Sequence, residues 1–421
     1  MRHIAWPLAF GVTAAHASGL DAPAVGGVLS GPAVHDAAAL YWNPAMLGFH
    51  ERLELMLGAA FVAGHLGYTR ERRGAYQHED SFEFATPVTD LDPSRTGTAE
   101  AASANPIAGS ADAFFAFPVV PGRATVALGL YVPYAAPLSW PGDGPQRFAL
   151  QDVFITFSHV SGGVGVRLHD RVTVGGAVSL VLGQAALKRV QDFAAVPVFG
   201  EGLANEPINQ PNDFGLDAPS EVRELEVLAR PFSLTDATSV GVSFNLGVAV
   251  RPAPRTTVGV NYDHGSEADF EGDFALDMSD DFFTRDLASK GLQFVPLVEG
   301  DARLRFQLPR RVTAGVLHGL DAKWTLGFDA AWVQWSSLDT FRITLDSPDL
   351  AQPELGIPAS TTVALPRDWQ DAVHLQGHVR HQVRETLWWG AGVGYQSPAS
   401  PDETVDAASP DGHRMVLTGA V

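Results

Sequence analysis

Apolar and polar side chains alternate over long stretches of this chain. Across 323–332, Trp324, Leu326, Phe328, Ala330 and Trp332 are apolar, with Lys323, Thr325, Gly327, Asp329 and Ala331 between them. The same period of two runs through Val242, Phe244, Leu246, Val248 and Val250 against Ser243, Asn245 and Gly247. It returns in Leu387, Trp389, Ala391, Val393 and Tyr395 against Gly390, Gly392 and Gly394. A β-strand turns successive side chains to opposite faces, so the pattern predicts strands with one apolar and one small or polar face. Strands are expected near 53–68, 112–119, 124–134, 148–168, 171–187, 238–251, 255–272, 301–318, 323–344, 367–380, 385–397 and 413–421. Residues 18–52 do not alternate and stand apart from the series.

A soluble β-sandwich alternates too, and two features argue against it. Aromatic residues cluster at strand ends, as with Trp324, Trp332, Trp335, Trp388, Trp389 and Tyr395, which is the arrangement of an interfacial girdle. Short turns at 169–171, 252–255 and 319–323 alternate with long polar loops near 70–110, 190–236, 271–300 and 345–365. Short turns at one rim and long loops at the other are the pattern of an all-β, transmembrane antiparallel β-barrel. The mean hydropathy of +0.03 does not count against this, because lumen-facing polar residues dilute the lipid-facing ones.

The first residues bear on compartment. Arg2 and His3 precede the apolar run 4–15, and Ala15-His16-Ala17 supplies a small-x-small cleavage pattern. Residues 1–17 are therefore expected to be an export leader, too short to span a bilayer. The formal net charge of −20 among 421 residues argues against a nucleic-acid partner, since phosphate contacts need a basic face. There is no cysteine for a disulfide or thiolate chemistry.

Motifs that suggest enzymes do not hold up. His374 and His378 have the spacing of a helical metal pair, but on a strand they stand roughly 13 Å apart. The glycine-rich stretches 161–166 and 390–395 lack a following helix. The acidic stretch 277–286 reads as a solvated loop, with a divalent cation or lipopolysaccharide bridge as the sharper alternative. No nucleophile elbow is present. No catalytic residue, metal ligand or cofactor is assigned.

The segment 18–49, SGLDAPAVGGVLSGPAVHDAAALYWNPAMLGF, resembles the N-terminal plug, or hatch, of the FadL-type outer-membrane transporters of Gram-negative bacteria. That family takes up long-chain fatty acids and includes aromatic-hydrocarbon transporters. The Asn-Pro-Ala motif is matched by Asn43, Pro44 and Ala45. Three further stretches are similar to the family in order along the chain: 128–140, LGLYVPYAAPLSW; 306–343, with its Leu308-Pro309 strand start; and 369–421, with Ser397-Pro398 and Pro410-Asp411. The resemblance implies a barrel of about fourteen strands with a hatch in the lumen, and a division into leader 1–17, hatch 18–52 and barrel 53–421. It implies passive uptake of a hydrophobic small molecule, a long-chain fatty acid or an aromatic hydrocarbon, by a monomer in contact with outer-membrane lipid and lipopolysaccharide.

The same resemblance places hatch gating at Asn43, Pro44 and Ala45; a local turn opening the first strand is the plainer role for that motif. It places a lateral opening at Pro133, Tyr134 and Ala135, where relatives carry a glycine and this chain has Ala135. Candidate pocket residues are Phe114, Phe115, Phe117, Leu130 and Tyr131, though alternation should turn about half to lipid. Only twelve strands are counted before the chain stops at Val421; either the sequence is truncated or the barrel is smaller, and truncation is the expectation, because an open edge in lipid leaves backbone groups unpaired. A general diffusion porin is the main alternative, and a barrel-borne lipase the more distant one.

Overall fold

A computed structural model describes residues 9–12, 25–69, 76–77, 86–87, 101–192, 229–289, 291, 293–351, 358–385 and 387–421. Its wall is an antiparallel meander. The strands are β1 (Glu54–Ala63), β2 (Ile107–Val120), β3 (Ala124–Ala135), β4 (Asp152–His169), β5 (Val172–Asp192) and β6 (Ala229–Ala253). Four interrupted strands follow: β7 (Thr256–Asp263, then Glu267–Asp277), β8 (Leu297–Gln307, then Arg311–Gly319), β9 (Trp324–Val333, then Thr340–Asp346) and β10 (Ser360–Pro366, then Ala372–Arg384). The series ends with β11 (Leu387–Gln396) and β12 (Arg414–Ala420). Each strand pairs with the next. The far edge of β12 carries Ala9–Val12, in register Ala9↔Ala420 to Val12↔Leu417. The rest of the expected leader lies outside the described residues.

Alternation sets the faces as the sequence suggests. Along β1, Leu55, Leu57, Ala59 and Phe61 are exposed on the outside while Met56, Gly58 and Ala60 between them are partly covered. The interruptions are where sequence reading falls short, because 255–272, 301–318 and 323–344 each read as one strand. Each break has a local cause. Gly265 takes φ +73°, open to a residue without Cβ. Pro309 has no N–H for the ladder. Trp335–Ser337 form a 3-10 turn. Asp368 takes φ +49° between the halves of β10, and Ser360–Pro366 is a strand where a loop was expected.

The outer surface changes character at these breaks. Val258, Val260, Val312, Leu326 and Phe328 are exposed between the short turns and the breaks. Beyond the breaks the outward positions of β7 and β8 are mostly charged: Glu267, Asp269, Glu271, Asp273, Glu299 and Asp301, with Arg303 and Arg305. The apolar belt therefore lies on the short-turn side, and the wall continues past it toward the long loops. With 18, 21 and 25 residues, β4, β5 and β6 far exceed the roughly 9–11 residues needed to cross a bilayer.

Inside the wall the lumen is filled in two layers. Toward the long loops an apolar cluster includes Phe157, Phe270, Phe306, Trp335 and Trp369. The loop after β7 adds Phe283 to this cluster, fully buried, so 277–286 is not merely solvated. Toward the short turns the lumen holds residues 25–50, whose Leu40, Tyr41, Met46, Leu47 and Phe49 pack against Phe114, Ala127, Tyr131 and Ala249 of the wall.

Candidate transport site

The internal segment is held by its own turn and by the wall. Ala39–Trp42 form one helical turn, α1, which ends at Asn43. The Asn43 carboxamide oxygen accepts from the Ala45 amide at 3.1 Å, capping the 3-10 turn Pro44–Phe49. Its Nδ2 donates to Pro32 O at 2.9 Å and to Val248 O at 3.3 Å. Asn43 is fully buried, so one side chain satisfies the turn, the segment before it and strand β6 together. Asn245 donates to the carbonyls of Leu40 and Tyr41 at 3.2 and 3.1 Å, using acceptors that the end of α1 leaves free. Arg167 Nε donates to Gly48 O, Gln376 Nε2 to Val28 O, and the Gly26 amide to Asp112 Oδ2. Close approach explains two wall glycines: a Cβ at Gly175 would overlap the Pro44–Ala45 peptide, and one at Gly247 would overlap the Asn43 carboxamide.

Above this plug lies a cavity of about 350 Å³. Its walls are almost wholly apolar, with Ile155, Leu187, Phe306, Phe341, Leu365 and Trp369 among them. Two guanidiniums, Arg189 and Arg367, and one carboxylate, Asp406, border it, and the two guanidiniums are close enough to interact electrostatically. Arg367 Nη1 pairs with Asp406 Oδ2 at 2.9 Å, and its buried Nε has no hydrogen-bond partner among the described residues. Arg189 Nη2 donates to Gln191 Oε1 at 2.6 Å.

The wall beside the cavity is interrupted. The β2–β3 ladder runs from Val120↔Ala124 to Ala113↔Leu130 and stops there. Beyond that rung, Ile107–Asp112 pair with β1 alone. The remainder of β3 pairs with β4 alone, through a bulge between Tyr131↔His159 and Tyr134↔Phe157. Val132 and Pro133 lie in this bulge, and a proline cannot donate to a neighbouring strand. Pro106 and Ala108 on one side of the gap, and Ala136, Pro137 and Leu138 on the other, line the cavity. Phe61 and Ile107, on the outer surface next to the gap, are among the most exposed apolar residues.

The family model for outer membrane protein transport proteins (OMPP1/FadL/TodX) matches residues 2–420. The chain belongs to this family. Solved FadL/TodX structures have the same fold. A Pseudomonas aeruginosa FadL homologue is 19% identical over 98% of this chain and 87% of its own, with a TM-score of 0.71. The Pseudomonas putida toluene transporter TodX is 16% identical over 96% and 85%, with a TM-score of 0.60. The Ralstonia pickettii toluene transporter TbuX is 16% identical over 93% and 97%, with a TM-score of 0.56. No curated protein sequence matches the chain. As a FadL/TodX member the protein is an outer-membrane β-barrel of a Gram-negative bacterium and a transporter rather than an enzyme.

The residues picked from sequence fall in three places. Asn43, Pro44 and Ala45 sit at the centre of the internal segment 25–50, all fully buried or nearly so. Pro133, Tyr134 and Ala135 lie on the part of β3 that no longer pairs with β2. The five pocket candidates divide. Phe114 and Tyr131 point inward, stacked at 5.3 Å, and pack against the internal segment 25–50. Phe115, Phe117 and Leu130 are corrected to the outer face, being 38%, 46% and 53% exposed; none of them lines the cavity above the plug. The residues that do line it come from many strands and from the breaks between them. Trp369 and Arg367 stand in the interruption of β10, where alternation gives no signal.

Proposed function

We propose that this transporter carries long-chain amphiphiles with a carboxylate head, fatty acids above all, through the apolar cavity and out sideways by the β2–β3 gap into the membrane, with residues 18–52 acting as a displaceable plug and residues 1–17 removed on export. The observation that carries the reading is the pairing of an apolar cavity with two guanidiniums at its border. Each buried methylene of a ligand contributes about 0.8 kcal/mol, which suits an alkyl chain. Guanidiniums favour a carboxylate, and contribute nothing comparable to a neutral hydrocarbon. A diffusion porin fits poorly, because it needs a continuous wet lumen and here an apolar layer lies above a packed plug. The aromatic lining of Phe306, Phe341 and Trp369 favours a monoaromatic hydrocarbon as the second reading.

Equilibrium binding to the purified protein separates these. Palmitate should bind more tightly than hexadecanol, and Arg189→Gln/Arg367→Gln should erase most of that preference, roughly tenfold or more for lost charged hydrogen bonds. Equal binding of acid and alcohol, or toluene binding as tight as palmitate, would remove the fatty-acid reading.

A further inference from the structure

Arg311 is the first residue after the break in β8, and it is buried. Its Nη1 donates to the Tyr41 hydroxyl at 2.6 Å. The guanidinium also lies over the rings of Tyr41 and Trp42, with Cζ 4.6 and 5.4 Å from their centroids. On the other side Nη2 stands 3.9 Å from Asp263 Oδ2, at the break in β7. Thus one cation joins the last two residues of α1 to the two wall breaks beside it. Burial in an aromatic surround strengthens such contacts, and only the planar fork of arginine can serve hydroxyl, rings and carboxylate together.

Tyr41 leads on to the wall gap. Its ring meets Tyr131 edge-on at 5.1 Å. Tyr131 occupies the last paired position of β3 before the bulge, and Tyr134 the first one after it. Tyr134 meets Trp335 at 6.1 Å, and Trp335 meets the cavity-lining Trp369 at 5.3 Å. Ring contacts from the hatch thus reach one side of the bulge and ring contacts from the cavity reach the other, with Val132 and Pro133 between them.

We infer that Arg311 is the latch that holds the hatch closed, and that the Tyr41–Tyr131 contact couples the latch to the β2–β3 gap. Arg311 is a positioning residue here: it acts through Tyr41 and needs no contact with the cargo. The inference rests on the reading that the hatch is displaced during transport.

The test uses Tyr41→Phe, which keeps the ring and removes only the hydroxyl. Hydrogen exchange of Ala39–Phe49 and small-ion conductance in planar bilayers are both measured without ligand. Protection should fall roughly ten- to hundredfold, as for loss of a hydrogen bond to a charged group. Conductance should rise, and strand amides should be unchanged. In an Arg311→Met/Asp263→Asn background, which removes the cation without stranding a buried carboxylate, Tyr41→Phe should have no further effect. Wild-type protection and conductance in Tyr41→Phe would overturn the latch, as would an equal loss in both backgrounds. Because no ligand is present, the outcome is independent of the palmitate–hexadecanol comparison: either idea can fail while the other stands.

Discussion

Replacing Asn43 by alanine should release the hatch while leaving the barrel standing. The substitution removes three hydrogen bonds, to the Ala45 amide and to the carbonyls of Pro32 and Val248. Loss of an N-cap costs about 1 kcal/mol. A buried partner left unsatisfied costs about 1–3 kcal/mol, and the Ala45 amide and Pro32 carbonyl, both buried, stand to lose their partner. Val248 adds little, since its strand keeps other ladder partners. The expected loss of hatch docking is about 2–4 kcal/mol, a thirty- to several-hundredfold fall in exchange protection at 1.4 kcal/mol per decade. Mass-spectrometric hydrogen exchange in detergent micelles reads it directly, comparing peptides from 25–50 with peptides from β4 and β5. Asn43→Asp separates the contributions. It keeps the cap acceptor but turns a carboxylate oxygen toward two carbonyls, so it should not rescue docking. A change under threefold in the hatch peptides, or an equal loss in the strands, would show that Asn43 is only a local turn residue.

Two further outcomes are expected. Gly175→Val should push the hatch off its seat, because the added atoms overlap the Pro44–Ala45 peptide; ion conductance should rise severalfold while the barrel keeps its heat-resistant migration in gels. The pH dependence of hatch docking should have two opposed parts. Burial, and then the nearby Glu54 carboxylate, push Asp36 up to about 7, so its contribution is greatest below the usual carboxylate range and is lost as pH rises to about 7. Burial holds His35 and His50 below their ordinary 6.5, so their contribution runs the other way, growing as pH rises toward 6.5. Asp36→Asn should remove the Asp36 part, so that exchange protection falls less than in the wild type as pH rises to about 7. Parallel pH profiles for mutant and wild type would refute the assignment.

The wall was legible because alternation is a property of each strand alone. β3 was expected at 124–134 and runs Ala124–Ala135; β11 was expected at 385–397 and runs Leu387–Gln396. The breaks were not legible, since an interrupted strand such as β9 keeps apolar residues on both sides of its turn. Alternation also separates Phe114 from Phe115 without saying which faces the lumen; only the register against β1 and β3, with the hatch inside, decides that. The Asn-Pro-Ala turn could be found because its motif is contiguous. The cavity could not, because Leu187, Arg189, Phe306 and Trp369 are brought together by curvature of the sheet, which no local pattern encodes.

The division of the lumen bears on the exit route. A cargo leaving the cavity toward the short-turn rim has to displace the hatch, which holds at least six hydrogen bonds to the wall, from Asp112, Arg167, Val248, Asn245, Arg311 and Gln376. It also keeps Leu40, Met46, Leu47 and Phe49 buried. At about 1 kcal/mol net per hydrogen bond and 1.5–3 kcal/mol per buried large side chain, full displacement costs on the order of 10 kcal/mol. A cargo leaving sideways crosses a seam with no β2–β3 hydrogen bond beyond Ala113↔Leu130. Its lining there is Ala108, Ala136, Pro137 and Leu138, and the exposed Phe61 and Ile107 flank it outside. An apolar chain moving that way exchanges one apolar environment for another and breaks no backbone ladder. Lateral exit with a small hatch shift is therefore favoured over full ejection of the plug, and a covalent cross-link between hatch and wall should slow uptake far less than a bulky Ala108→Trp in the seam.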